Sequence, residues 1–272
     1  MRPIPQGSLP QLRRISRIMT NVGRSTHQAE TEGAFALPEF CEWCGTPVNG
    51  YEFCFRCKEI RESTDPELLP DNIVLLTYAI HGSQSAADAY GYKDATKSAA
   101  ANQSLSRLQI LTNFFILHHS GCVRRATGST VDAITHVPSG QGRHPHPLEK
   151  EIERLFPEEQ LRRVSLNLAD SPRTAGRQES VNPQRHDVAD TVEGRHVLVL
   201  EDTWVRGYSA LSAVASLKRA GASAVSLLVL TRYLRPSFKD TEKWLSERDE
   251  LTAYDPRFCP VTRTFSCPGS QT

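Results

Sequence analysis

No stretch of the 272-residue sequence is apolar for the length that a bilayer crossing requires, which excludes a spanning helix. Charge of one sign is lacking too. A formal net charge of +1 excludes a protein that holds nucleic acid mainly by global charge, while leaving room for a local basic patch. The basic N-terminus, MRPIPQGSLPQLRRISRIMTNVGRSTHQ, has neither the apolar core nor the small-residue cleavage site of a secretory signal, so a cytoplasmic protein is expected. Residues 1–37 read as a disordered basic tail, with LRRISRIM as a weak anchor or organellar presequence the alternative. No internal repeat is present. What remains, with 39% hydrophobic and 23% charged residues, is ordinary for a soluble chain long enough to bury a core.

Seven cysteines in so long a chain do not make a disulfide-stapled scaffold, yet four of them crowd into CEWCGTPVNGYEFCFRC. Cys41 with Cys44 and Cys54 with Cys57 are two C-x-x-C pairs separated by nine residues. Each short turn can aim two thiolates at one centre, and together they offer the tetrahedral sulfur set of a closed, structural zinc site. Two disulfides or a redox pair would use the same residues. Gly45 suits a tight knuckle, and Arg56 and Lys58 are positioned to offset the charge of four thiolates. Cys122, Cys259 and Cys267 are widely spaced and match no metal or nucleophile pattern, with pairing or a second ion at Cys259 and Cys267 a minor alternative.

The knuckles form a module over residues 38–60, and ESTDPELLPDN reads as a linker. Beyond it, IVLLTYAI, AITHVP, RRVSLNL, VLVL and AVSLLVLTR read as strands. SLSRLQILTNFFILHH, HPLEKEIERLF, the segment after VRGYS, and FKDTEKWLSERDEL read as helices. His118 and His119 fall at the expected end of the first of these helices. Strands that are apolar throughout and alternate with helices imply an α/β fold with a mostly parallel sheet covered on both faces. The boundaries expected are a domain over 73–235 and a C-terminal helix and tail over 236–272.

The stretch HVLVLEDTWVRGYSALSAVASLKRAG carries the chemistry. Glu201 and Asp202 follow an apolar strand, VRGYS is a glycine-containing turn, and a helix with Ser209 as its expected N-cap runs to Gly221. Ligands of open parallel sheets bind beyond the carboxyl ends of strands, where free backbone amides and the positive end of a helix suit a phosphate. Adjacent acids would repel that phosphate unless the ligand also brought hydroxyl donors or a divalent cation. A phosphorylated sugar with Mg²⁺ brings both. The alternative is a pair of solvated loop acids.

These residues resemble the phosphoribosyl pyrophosphate (PRPP) signature of type I phosphoribosyltransferases, and a zinc knuckle ahead of such a domain is similar to the ComF-like, competence-associated subgroup. Tyr78, Gly82, Tyr92 and Lys93 follow that subgroup's spacing. The resemblance spans roughly Cys41 to Arg232. It implies a phosphoribosyltransferase-type sheet, with Glu201 and Asp202 on the ribose hydroxyls and Thr203, Val205, Arg206, Gly207, Tyr208 and Ser209 around the 5′-phosphate. The loop after VP would face pyrophosphate with Ser139, Gly140 and Arg143. It implies PRPP with Mg²⁺ as ligand and transfer of phosphoribosyl to a nitrogen acceptor. The alternative, which the subgroup's link to competence implies, is a non-catalytic, nucleotide-sensing or DNA-uptake accessory role, with the zinc module contacting DNA or a partner protein.

Departures from the pattern bear on catalysis. Val205 and Arg206 stand where family turns carry hydroxyls, and GRHPHPLEKE replaces the family's Arg-Gly-Phe-Asn-Gln string. Arg206 either makes a charged contact to phosphate or faces solvent. His144 and His146, and Arg177, Asn182 and Arg185 in the long polar loop before the motif, are further candidate anion contacts. Trp204 either stacks on a base or packs the turn down.

Overall fold

A computed structural model of the protein describes residues 9–24, 39–94, 99–140, 146–156, 161–170, 179–247 and 253–266. Helices α1 (Leu9–Ser16) and α2 (Phe55–Ser63) precede β1 (Asn72–Ile80), α3 (Gln84–Gly91) and α4 (Ala99–Thr127). Then come β2 (Ala133–His136), α5 (Pro147–Leu155), β3 (Arg162–Arg163), β4 (Leu166–Leu168), β5 (His186–Val188), β6 (His196–Trp204), α6 (Tyr208–Arg219), β7 (Ala224–Leu234) and α7 (Lys239–Ser246). The five-stranded, mostly parallel sheet has the order β1-β7-β6-β2-β3, and β4 and β5 form a separate antiparallel pair. The chain falls into two compact units, residues 1–58, 75–120 and 230–272, and residues 59–74 and 121–229.

In the first unit, the segment expected to be a solvated tail contributes to the core instead. Ile15, Met19 and Val22 are buried. The backbone of Thr20 is bound on both sides to Thr77, its N–H donating to Oγ1 at 3.1 Å and its carbonyl accepting from that hydroxyl at 2.9 Å. The amphipathic spacing of LRRISRIM is thus satisfied within the protein. Helix α4 runs well past His118 and His119, where an end was expected, because no proline interrupts it. On its inner face Leu108, Leu111 and Phe115 are buried. Asp88 of α3, fully buried, is held by Arg107 at 2.6 Å, Ser104 Oγ at 2.9 Å and Gln84 Nε2 at 3.0 Å. A buried carboxyl group held by three side-chain donors fixes one packing of α3 on α4.

In the second unit, β2 lies parallel to both β3 and β6, pairing Ala133 with Arg162 on one side and with Val197 on the other. VLVL proves to be the first part of a longer strand, since β6 continues through both acids to Trp204. Its N-terminal His196 is buried, with Nδ1 against Ser129 Oγ at 2.8 Å and Nε2 against Ser226 Oγ at 2.9 Å. Helix α6 packs on β6 with Leu211, Val214 and Leu217 buried, and Lys218 pairs with Asp71 at 2.7 Å. RRVSLNL is split between β3 and β4, and β5 begins in the last two residues, His186 and Asp187, of what reads as a polar loop. No helix among the described residues is long and apolar enough to cross a membrane.

Candidate functional site

The sulfurs of Cys41, Cys44, Cys54 and Cys57 all lie within 4.8 Å of one another, and those of Cys44 and Cys54 are 3.7 Å apart. A tetrahedral four-thiolate site with Zn–S of about 2.3 Å has sulfur–sulfur edges of about 3.8 Å, so the cluster fits a metal ion of that size. The first turn closes as Cys41 N–H donates to Thr46 O at 2.8 Å and Gly45 N–H donates to Cys41 O at 2.9 Å. Gly45 takes φ 64°, and a Cβ there would lie 2.2 Å from Val22 Cγ1, so both conformation and space call for glycine. Tyr78, buried, donates its hydroxyl to Gly45 O at 2.6 Å and accepts from Gly23 N–H at 3.1 Å. Burial pushes its phenol well above the ordinary value. The position that the family spacing singled out therefore clamps the knuckle.

Arg232 is the cation that sequence reading missed when it assigned charge balance to Arg56 and Lys58. Buried at the end of β7, it donates Nε–H to Cys44 O at 2.9 Å, reaches Cys44 Sγ with Nη2 at 3.8 Å, and binds Thr46 Oγ1. Contact with the Cys41 sulfur, joined by the field of Arg232, holds the Cys44 thiol well below its ordinary value, whereas the same cluster drives Cys57 upward. Four thiols so close cannot all ionise without a cation among them. Nothing in the local sequence announces Arg232, because its contact depends on the return of β7.

The second candidate site lies in the other unit, at the end of β6. A cavity of about 380 Å³ is lined by Glu201, Thr203, Trp204 and residues 205–210, together with Arg185. Glu201 is half-buried and lines it. Asp202 is buried and is not among the lining residues, as expected when a strand turns successive side chains to opposite faces. The helix begins earlier than expected. Gly207, with φ 84°, is the N-cap and supplies no capping side chain, so Ser209 sits in the first turn. Trp204 packs beneath the turn.

The remaining candidates are divided. Arg185 lines the cavity, and its Nη2 comes within 3.9 Å of a Cβ built on Gly140, so Gly140 lies near this site. Burial lowers the Arg185 pKa, a sign of costly desolvation that an anion would relieve. Ser139 lines a different cavity, of about 440 Å³, between β2, β3, β4 and α5. His146, read as an anion contact, is the N-cap of α5: its Nδ1 accepts from Leu148 N–H at 3.2 Å and its ring stacks on His136 at 4.9 Å. Asn182 donates its N–H to Ser212 Oγ at 2.8 Å, which ties the loop to α6. Arg143, His144 and Arg177 lie outside the described residues.

No protein-family model, curated protein or solved structure matches the chain.

Proposed function

We propose that the cavity at the end of β6 binds a 5′-phosphorylated ribose, with PRPP and Mg²⁺ as the ligand, and that the four-cysteine cluster holds a structural zinc ion. The observation that carries the first part is the meeting, in the lining of one cavity, of Glu201, the first turn of α6 and Arg185. Carboxylate suits a sugar diol or its magnesium, and helix start and guanidinium suit phosphate. Glu201 would serve the ribose and its metal, with Asp202 on the opposite face of the strand and off the lining, residues Val205 to Ser209 the 5′-phosphate, and Gly140 with Arg185 the pyrophosphate side. In the transfer, a nitrogen lone pair forms the new bond to the anomeric carbon as its bond to pyrophosphate oxygen breaks, and pyrophosphate leaves. Positive charge develops on the sugar, which a nearby carboxylate stabilises.

Titration calorimetry with PRPP, with and without Mg²⁺, tests the binding. Heat that saturates only with Mg²⁺ is expected, and none at millimolar ligand would remove the reading. A second reading keeps the ligand and drops the reaction, as in a nucleotide sensor or DNA-uptake accessory. It is favoured by Val205, 46% exposed at a position where a phosphate-binding hydroxyl is expected. Release of pyrophosphate with any of a panel of nucleobases and amines decides between the two.

A further inference from the structure

The cavity of about 440 Å³ between β2, β3, β4 and α5 lies one strand over from the end of β6, and all of its lining belongs to the unit of residues 59–74 and 121–229. Successive residues of the loop after β2 reach the two cavities: Ser139 lines this one, and Gly140 approaches Arg185 of the other. Its volume falls within the roughly 300–1,000 Å³ of small-molecule sites. Apolar side chains such as Ile152, Val164 and Leu166 supply much of the wall, among a few polar ones.

Two of those polar residues carry atoms that the protein leaves unsatisfied. Among the described residues, Thr135 Oγ1 and Arg163 Nε are buried without a hydrogen-bond partner, and Thr135 as a whole is only 2% exposed. A buried polar atom without a partner is costly, and both residues line the space from which a partner would come. The rest of the guanidinium is engaged, with Nη2 donating to Phe156 O at 3.5 Å and Nη1 at 3.6 Å from Glu153. Arg163 Nε–H can only donate, whereas a hydroxyl donates or accepts, so the missing partner must present an acceptor.

The charges of the lining disfavour an anion. It would meet the carboxylates of Glu149 and Glu153, and a guanidinium already paired with one of them. A molecule that offers an N–H to a carboxylate and a carbonyl to Arg163 and Thr135 suits both signs. His136 and His146, whose rings stack at 4.9 Å, add flat aromatic surface to the wall, which favours a planar ring.

We propose that this cavity is a second ligand site, for an uncharged planar nitrogen heterocycle with an amide edge, a ring carbonyl beside a ring N–H. The ring lies among the apolar walls and the imidazoles, and its edge meets Thr135, Arg163 and Glu149. The site stands on its own lining, whether or not the cavity at the end of β6 takes PRPP.

Calorimetric titration of the full chain with 2-pyridone, uracil and benzoate, each alone, tests this. The first two carry the amide edge, and benzoate is planar but charged. Saturable binding of at least one amide ring at millimolar concentration, and none of benzoate, is expected. The imidazole C–H signals of His136 and His146 in proton NMR, assigned with His136→Gln and His146→Gln, should shift with the same midpoint. Thr135→Val exchanges the hydroxyl for a methyl of nearly the same shape. It should weaken binding about fivefold and leave the melting temperature of the free protein unchanged or raised, because the hydroxyl it removes has no partner there. The proposal is overturned if neither amide ring binds, if benzoate binds as well as they do, or if binding leaves both imidazoles unmoved. It is overturned equally if Thr135→Val lowers the melting temperature and keeps the affinity.

Discussion

Gly207 sits directly on the indole of Trp204: a Cβ built on the glycine would lie 2.3 Å from Cζ2 and 2.6 Å from Cε2. The indole is buried and cannot swing aside, and Gly207 also holds φ 84°. Gly207→Ala therefore meets both a clash and a strained backbone, for a combined cost of about 2–4 kcal/mol. Thermal denaturation should show a lowered midpoint, and calorimetry a loss of PRPP binding out of proportion to the unfolded fraction. A variant with unchanged midpoint and affinity would mean that Trp204 does not set the turn.

Tyr78 links the first knuckle to Gly23, and its hydroxyl is the only part of the ring that Tyr78→Phe removes. The change leaves Gly45 O and Gly23 N–H without that partner in a buried setting, for a loss of about 1–3 kcal/mol. Arg232→Met should act on the same module by removing the cation beside Cys44. Zinc release to a chelator should be several-fold faster in both variants. Release at the wild-type rate from either would show that its contact does not stabilise the knuckle.

What the sequence makes legible follows from how local each signal is. The two C-x-x-C pairs, the apolar strands and the acid pair are contiguous, and the structure forms the strands and gathers the sulfurs. The Ser209 hydroxyl suggests a capping side chain, whereas the N-cap lies two residues earlier at Gly207, a left-handed glycine that leaves no such mark. Residues 9–24 read as tail because a basic amphipathic stretch is indistinguishable, alone, from a solvated one. Strand β5, HDV, is too short and polar to show a period. Arg232 at the knuckle, and Arg263 with its grip on Cys41 and Trp43, depend on chain returns that no local pattern encodes. For the acids the strand reading stopped too early. Extension of β6 to Trp204 makes Glu201 a cavity residue and leaves Asp202 off the lining.

That division makes Glu201 the sharper test of the proposed ligand. Glu201→Gln keeps the side chain's shape and removes its charge, so if the carboxylate meets the ribose diol or its magnesium, affinity for PRPP with Mg²⁺ should fall at least about tenfold. Affinity for inorganic phosphate alone should hold or rise, since an acid near the phosphate end has been removed. Calorimetry with both ligands reads the difference. Equal affinity for PRPP would sink the assignment of Glu201.

His186 should make stability depend on acid. Burial, with the neighbouring Arg185 charge, pushes its pKa from 6.5 down to about 4. The folded protein thus refuses a proton that the unfolded chain accepts, and stability rises with pH wherever that difference persists. Above 6.5 the group is neutral in both states and contributes no slope. Between 6.5 and about 4 stability falls as the pH drops, and below about 4 the full loss is present, about 3 kcal/mol for a shift of this size. His186→Gln cannot take up that proton, so its urea-unfolding free energy should decline less than wild type between pH 7.5 and pH 4.5, by about 2–3 kcal/mol. The comparison cancels the carboxylates and other histidines that titrate in the same window. If the two curves run parallel across it, His186 is not buried as a neutral ring in the folded state.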